Sequence, residues 1–339
     1  MSPFSLDLLA PASVTVVGAA ALAALITRLS LPLLQRHALA TPNARSSHKS
    51  PTPQGGGIAV TAATLVVAAT IAAWYNVALS PALLLGALLM AGVGFADDVR
   101  SLAVGPRLAF QVLAVGLLVF SAPASQQLLP ALPLVLERGL ILFAGVWFVN
   151  LVNFMDGLDL MTVSEGVPVS LALVVAGLSG DLPSSATLLA AALCGALCGF
   201  APFNRPVARI FLGDVGSLPI GLMLFWGLWQ LAAHGHGAAA LLLPAYYVAD
   251  ATLTLGLRIW RRERFWAAHR SHFYQRATDN GFPVSAVIRR TTLLNTALAL
   301  LALLTIRVPS LAVAALALLA GTIAVGLTLR SFARHRAGP

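Results

Sequence analysis

Apolar runs of bilayer-crossing length recur along the whole chain, at about 10–27, 57–74, 80–95, 107–122, 139–153, 163–178, 186–203, 217–233, 238–257, 291–306 and 309–329. A membrane-spanning helix needs roughly 20 predominantly apolar residues, and several of these runs come close to that length. With 58% hydrophobic and 10% charged residues and a mean hydropathy of +0.87, a chain of 339 residues is far too apolar for a soluble domain. The fold expected is an all-α integral membrane protein, a polytopic bundle of about 11 transmembrane helices. No composition break or low-complexity tract marks a second unit, so 1–339 reads as a single polytopic domain.

Threading the runs through a bilayer puts all of the 21 Lys and Arg residues except Arg138 and Arg307 on one side. Positive residues near span ends stay cytoplasmic, which sets the N-terminus outside and the C-terminus inside. The cytoplasmic loops are then 28–56, 96–107, 154–162, 204–216 and 258–290. The net charge of +9 lies in short juxtamembrane segments, where topology and anionic headgroups account for it, and nucleic acid is not expected as a partner. The residues before Arg28 hold no Lys or Arg and so lack the positive n-region of a signal peptide, and the first span is expected to remain. Cys194 and Cys198 share one face of an apolar helix, where packing explains them better than a disulfide.

Candidate chemistry falls in those inside loops. The first carries Ser46-Ser47-His48-Lys49-Ser50-Pro51-Thr52-Pro53-Gln54-Gly55-Gly56-Gly57, whose glycines would let backbone N–H groups approach a ligand and whose Lys49 offers charge for a phosphate. An ordinary loop with a basic flank fits it equally well. In the second, Asp97 and Asp98 follow Gly94-Phe95-Ala96 at the end of a span, where two adjacent carboxylates are costly unless a cation or a base role compensates. Arg107 and Gln111 follow, one helical turn apart, where a simple inside anchor is also consistent.

The third loop is sharper. Asn150, Asn153, Asp156 and Asp159 recur every three residues, so a helix end would carry them as one polar stripe with no Lys or Arg in the loop to neutralise it. A bound cation or ligand explains that stripe best. The fourth loop runs from Asn204-Arg205-Pro206 through Phe211-Leu212-Gly213-Asp214 to Ser217, where Asp214 and Ser217 are placed to cap a helix as well as to bind. In the last, His269-Arg270-Ser271-His272 sits among Trp260, Phe265, Trp266, Phe273 and Tyr274, which suit a headgroup region. Two histidines around an arginine suit an anion, and zinc lacks a third soft ligand.

Taken in order, SSHKSPTPQGGG, GFADD, NLVNFMDGLD, FNRPVARIFLGDVGS and HRSH resemble the polyprenyl-phosphate N-acetylhexosamine-1-phosphate transferase family over residues from about 46 to 276. The HRSH run is more similar to the branch that initiates O-antigen and exopolysaccharide than to the peptidoglycan translocase, which carries consecutive histidines there. After Asp159, where the family often continues with Gly, this chain has Leu160-Met161-Thr162.

The resemblance implies an enzyme that uses Mg²⁺, with Mn²⁺ as the alternative ion. It moves a HexNAc 1-phosphate from a UDP-sugar onto undecaprenyl or another polyprenyl phosphate and releases UMP. Asp214 would be the principal metal ligand with Asp156 beside it, and Asp97 or Asp98 would activate or position the lipid phosphate. Asn153, Asp156, Asp159, Asn204 and Phe211 would frame the nucleotide, with the Phe211 ring placed to stack on uracil. Lys49, Arg107, His269 and His272 would hold phosphates. Asp250 also matches a family carboxylate, with a structural hydrogen bond as the other reading. The partners implied are a UDP-N-acetylhexosamine, the polyprenyl phosphate and the bacterial inner membrane, with a homodimer left open. Rival readings are a peptidoglycan-type transferase, a non-catalytic scaffold and a secondary transporter; the last should show mid-bilayer charges in related halves.

Overall fold

The computed structural model describes residues 6–40, 51–264 and 269–334. Lys49, together with Arg45, Phe265, Trp266 and Arg336, lies outside the described residues.

The chain is a helical bundle. In order the helices are α1 (Leu6–His37), α2 (Gly57–Trp74), α3 (Pro81–Val99), α4 (Val104–Ser121), α5 (Leu134–Met155), α6 (Met161–Leu178) and α7 (Ser184–Phe200). There follow α8 (Asp214–Ala233), α9 (Gly237–Leu242), α10 (Ala245–Trp260), α11 (Phe273–Asp279), α12 (Val284–Arg307) and α13 (Leu311–Ala333). A two-stranded antiparallel ribbon, β1 (Leu39–Ala40) with β2 (Thr52–Pro53), brackets the first loop and pairs Leu39 with Pro53.

Among the described residues, 10 of these helices are long and apolar enough to cross a membrane. The run expected at 238–257 is broken instead into α9 and α10, neither of which reaches span length. Pro244 lies at the junction, where a residue without an N–H and with a fixed φ does not continue a helix. Elsewhere the helices outrun the hydropathy windows. Asp97, Asp98 and Arg107 are helical, in the last turn of α3 and the first turn of α4, because a charge that finds a partner inside the protein need not end a helix.

Burial ranks the layers. In α8, 94% of the apolar stretch is enclosed, against 17% for α13 and 28% for α4. The bundle is therefore organised around α8, which packs against α3 and α5, while α7 packs against α1, α2 and α6, and α12 lies on α6. The two basic exceptions to the one-sided charge pattern are engaged structurally. Arg138 donates to the Ala122 and Pro123 carbonyls (3.3 and 2.8 Å) and lies 5.1 Å from the Trp229 ring centre, and Arg307 donates to Ser179 Oγ. An arginine held this way is a lock between helix ends, which frees it from the topological rule.

Candidate active site

The site forms where the C-terminal turn of α3, the first turn of α4, the last turn of α5 and the N-terminus of α8 meet. Two carboxylates at the end of α3 sit at the negative pole of that helix, which is unfavourable unless something positive faces them. The N-terminus of α8 does. Asp98 accepts the Asp214 and Val215 N–H groups at 2.9 and 3.1 Å and is also bonded by Gln54 Nε2. Gly213 makes room for this at φ +77°, where an added Cβ would stand 2.5 Å from Asp98 Oδ2.

Asp97 turns the other way. It accepts the Leu102 N–H at 2.6 Å and the Arg107 guanidinium at 2.9 Å, and Arg107 also lies 3.6 Å from Asp214. The Asp97 and Asp214 carboxyl groups come within hydrogen-bonding reach of each other. Asp214 also accepts from Asn153 Nδ2 at 2.8 Å, and the same amide reaches Ser217 Oγ at 2.9 Å.

The expected stripe from Asn150 to Asp159 is interrupted, because α5 stops at Met155. Asn150 points into the bundle, donating to Gln111 Oε1 (2.6 Å), and Asn153 turns to Asp214. Asp156 caps α5 and is bonded by Thr162 Oγ1 at 2.5 Å. Burial pushes its carboxyl well above the usual carboxylate range; the Thr162 bond opposes this, and the charges of Asp214, Asp98 and Asp159 add to it. Asp159 accepts the Ala208 N–H at 3.0 Å, and Asn204 ties the same two loops by accepting Leu160 N–H and donating to Ile210 O (2.7 and 2.8 Å). Those bonds hold Leu160 at φ +61°, the left-handed conformation glycine adopts freely. The departure from Gly noted after Asp159 thus falls on a residue whose backbone the loop must pin.

Two pairs of alternatives left open by the sequence take a definite form. The Gly56 and Gly57 amides are spent on the Phe211 and Leu212 carbonyls at 2.8 Å each, so these glycines join the first loop to the fourth and present no free N–H to a ligand. Capping of α8 by its own Asp214 or Ser217 is absent: no side chain at its cap position makes the bond, and Asp98 supplies it from α3. Phe211 is partly exposed and bridges Gln54 through its backbone.

Beyond Arg107 a groove of about 630 Å³ opens, with Asn150, Asn153, His269, His272 and Gln275 at its polar end and Leu108, Phe143, Val146, Trp147 and Leu255 along its apolar walls. The His269 ring is 4.9 Å from that of His272. Burial, then His272 and Arg258, depress His269 to about 4, which leaves it a neutral ring near pH 7. Gln54, Thr162, Ser217 and Gln111 complete the site's hydrogen bonds. The sequence draws attention to their segments but not to their bonds, because each partner is more than five residues away.

A divalent ion fits part of this arrangement. Asp97 and Asp214 offer hard oxygens close together, and two carboxylates in contact carry a charge that a cation would neutralise. Among the described residues no three His, Cys, Asp or Glu side chains are close enough to hold an ion by themselves. Mg²⁺ does not require that, since it is commonly held by one or two carboxylates plus water and substrate phosphates. Asp214 meets Asp97 directly and acts on Asp156 through charge.

Residues 80–231 match the model of glycosyl transferase family 4. The chain is 34% identical over 210 residues to the decaprenyl-phosphate N-acetylglucosaminephosphotransferase of Mycobacterium tuberculosis, covering 55% of this chain and 52% of that protein. It thus spans about half the length of these mycobacterial relatives. It is 30% identical over 271 residues to the phospho-N-acetylmuramoyl-pentapeptide-transferase of Deinococcus radiodurans, covering 71% of this chain and 81% of that protein. A similar enzyme of Clostridioides difficile is 33% identical over 196 residues, covering 51% of this chain and 59% of that protein. With the matched region containing Asp97, Asp98, Arg107, Asn153, Asp156 and Asp214, the chain belongs to the polyprenyl-phosphate N-acetylhexosamine-1-phosphate transferase family, within glycosyl transferase family 4.

Proposed function

We propose that this protein transfers a HexNAc 1-phosphate from a UDP-sugar to a polyprenyl phosphate at the cytoplasmic face of a bacterial inner membrane. The product would be the lipid-linked sugar that starts O-antigen, exopolysaccharide or another envelope glycan. The observation that carries this reading is the Asp97–Arg107–Asp214 cluster at the polar head of a groove with apolar walls. Such a groove suits a lipid whose phosphate reaches the charged end and whose chain stays in the membrane.

In the transfer, an oxygen of the lipid phosphate attacks the β-phosphorus of the UDP-sugar. The bond from that phosphorus to the bridging oxygen breaks, and UMP leaves with the electron pair. The reaction needs alignment and charge neutralisation more than covalent help from the protein. Arg107 neutralises charge at the head of the groove, Asn153 orients Asp214, and the His269–His272 pair offers N–H donors to phosphate oxygens. Mg²⁺, when bound by Asp214 with Asp97 or Asp156, would supply the positive charge that the acidic cluster lacks.

Relatives named as pentapeptide transferases keep a peptidoglycan-type donor in play, and the HRSH run favours a simple HexNAc donor. A transporter is not supported, because the carboxylates of the site gather at one end of the bundle. Incubating purified protein with polyprenyl phosphate, Mg²⁺ and a panel of UDP-sugars tests the reading. UMP release with a UDP-HexNAc is expected, and its absence across the panel would remove it. In intact cells, cysteines placed at Arg100 and Arg262 should resist an impermeant thiol reagent while one at Asp181 reacts; labelling of the first two would put the site on the other face.

A further inference from the structure

We propose that Asp250 is a positioning residue for this reaction, holding His272 with Nδ1 turned inward so that Nε2 is the ring nitrogen presented to phosphate in the groove. The inference rests on the transfer reaction proposed above.

Asp250 lies on α10 and is completely buried. A buried carboxylate must be fully bonded to be tolerated, and this one is. It accepts the Phe273 and Tyr274 N–H groups at 2.9 and 3.0 Å, and the Tyr246 and Thr254 hydroxyls at 3.3 and 3.4 Å. The two amides belong to the first turn of α11, so Asp250 fixes the start of the helix that His272 precedes. Its charge then has one basic group within 4 Å among the described residues, which is His272 Nδ1 at 3.4 Å from Oδ1, an ion-pair distance at which the buried Nδ1 makes no hydrogen bond.

The imidazole is confined on its other sides. His269 stacks at 4.9 Å, Tyr274 at 5.9 Å, and Phe154 lies 6.2 Å away, all measured between ring centres. Tyr274 in turn donates to the Phe154 carbonyl at 2.9 Å, which ties α11 to the loop that carries Asp156. His272 lines the groove while only 2% exposed, so it has little freedom to rotate. A carboxylate facing Nδ1 favours the proton on that nitrogen and leaves Nε2 for the ligand. In the imidazolium form, Asp250 faces the Nδ1–H on one side and the Nε2–H is the donor left for a phosphate oxygen on the other. Carboxylates that orient a histidine in this way tune it without touching the substrate.

A helix cap alone would also explain part of this geometry, and the test separates the two. Asp250→Asn keeps the volume and one acceptor oxygen but loses the charge facing Nδ1. Expected is a fall in kcat on the order of 10–100-fold with the KM for the UDP-sugar little changed. The double variant Asp250→Asn with His272→Gln should be no slower than His272→Gln alone, since one residue acts through the other. Effects that multiply would show Asp250 to be only a cap. Nitrogen-15 spectra of the histidine rings, assigned with His272→Gln, read the tautomer without any substrate. Wild type should show the proton on Nδ1, and Asp250→Asn should lose that preference. A proton on Nε2 in the wild-type protein overturns the proposal, and this needs only the wild-type fold. If no UDP-sugar yields UMP the transfer reading fails, while the spectra still decide the positioning.

Discussion

Asp98 closes the helix that Asp214 begins: its two carboxylate oxygens accept the first amides of α8 at 2.9 and 3.1 Å, while the Asp214 carboxyl is left to meet Asp97 and Arg107. Neighbours in sequence, Asp97 and Asp98 thus divide their work, one facing the cluster and one serving the fold.

That division predicts opposite outcomes for two isosteric changes. Asp98→Asn loses one of two charge-assisted bonds, which should lower unfolding stability in detergent by about 1.5–3 kcal/mol. Asp214→Asn removes a charge next to Asp97 and can still accept from Asn153, so its stability should match or exceed wild type. Its turnover should fall on the order of 10²–10³-fold, with partial recovery at high Mg²⁺ or Mn²⁺. Substantial activity of Asp214→Asn at ordinary Mg²⁺ would take Asp214 out of the mechanism.

Arg107 stands 2.9 Å from Asp97 and 3.6 Å from Asp214, in a position to compete with a metal for the same oxygens. Arg107→Ala should therefore lower the Mg²⁺ concentration needed for half-maximal effect while cutting turnover on the order of 10²-fold, because a charge that meets phosphate in the transition state is gone. Magnesium titration of UMP release measures both. A rise in the Mg²⁺ requirement would mean that Arg107 helps to build the metal site.

His269 carries a pH signature. Its folded value of about 4 lies below the ordinary histidine value near 6.5, so between those limits the unfolded chain binds the extra proton. Stability must then decline as pH falls from about 6.5 toward about 4, and lose nothing further through this group below that. His269→Gln should flatten the slope between about pH 5 and 6.5, above the range where most carboxylates titrate. An unchanged slope would show that His269 is charged in the folded protein.

The helices were legible from the sequence because lipid demands long apolar runs, and the acidic loops stood out because charge at a membrane boundary needs a reason. The break at Pro244 was missed, since hydropathy averages across one proline. The roles of Asp98, Asn204 and Asp159 were illegible for a different cause. Asp98 meets α8 across 116 positions of chain, and Asn204 meets Leu160 across 44, so no local pattern separates a carboxylate that caps a distant helix from one that faces a ligand. The glycines of the first loop are ambiguous in the same way, because a permissive backbone serves close packing as well as binding.

Close packing also sets the last test. The Cα of Gly94 faces the first residue of α8, and an added Cβ would fall 2.2 Å from the Asp214 carbonyl oxygen and 2.3 Å from its carbon. Those are backbone atoms in a helix end that Asp98 already pins, so they have no rotamer by which to step aside. Gly94→Ala should push α3 from α8 at the cluster. The expected cost is about 1–3 kcal/mol of stability from overpacking. A displacement near 1 Å should also lower turnover on the order of 10²-fold. Gly92, on the same helix, has nothing within 4 Å of its added Cβ, and Gly92→Ala should be active and slightly more stable because Ala is the better helix former. Equal activity in the two variants would mean that α3 and α8 do not approach this closely, and the contact between Asp98 and the start of α8 would fall with it.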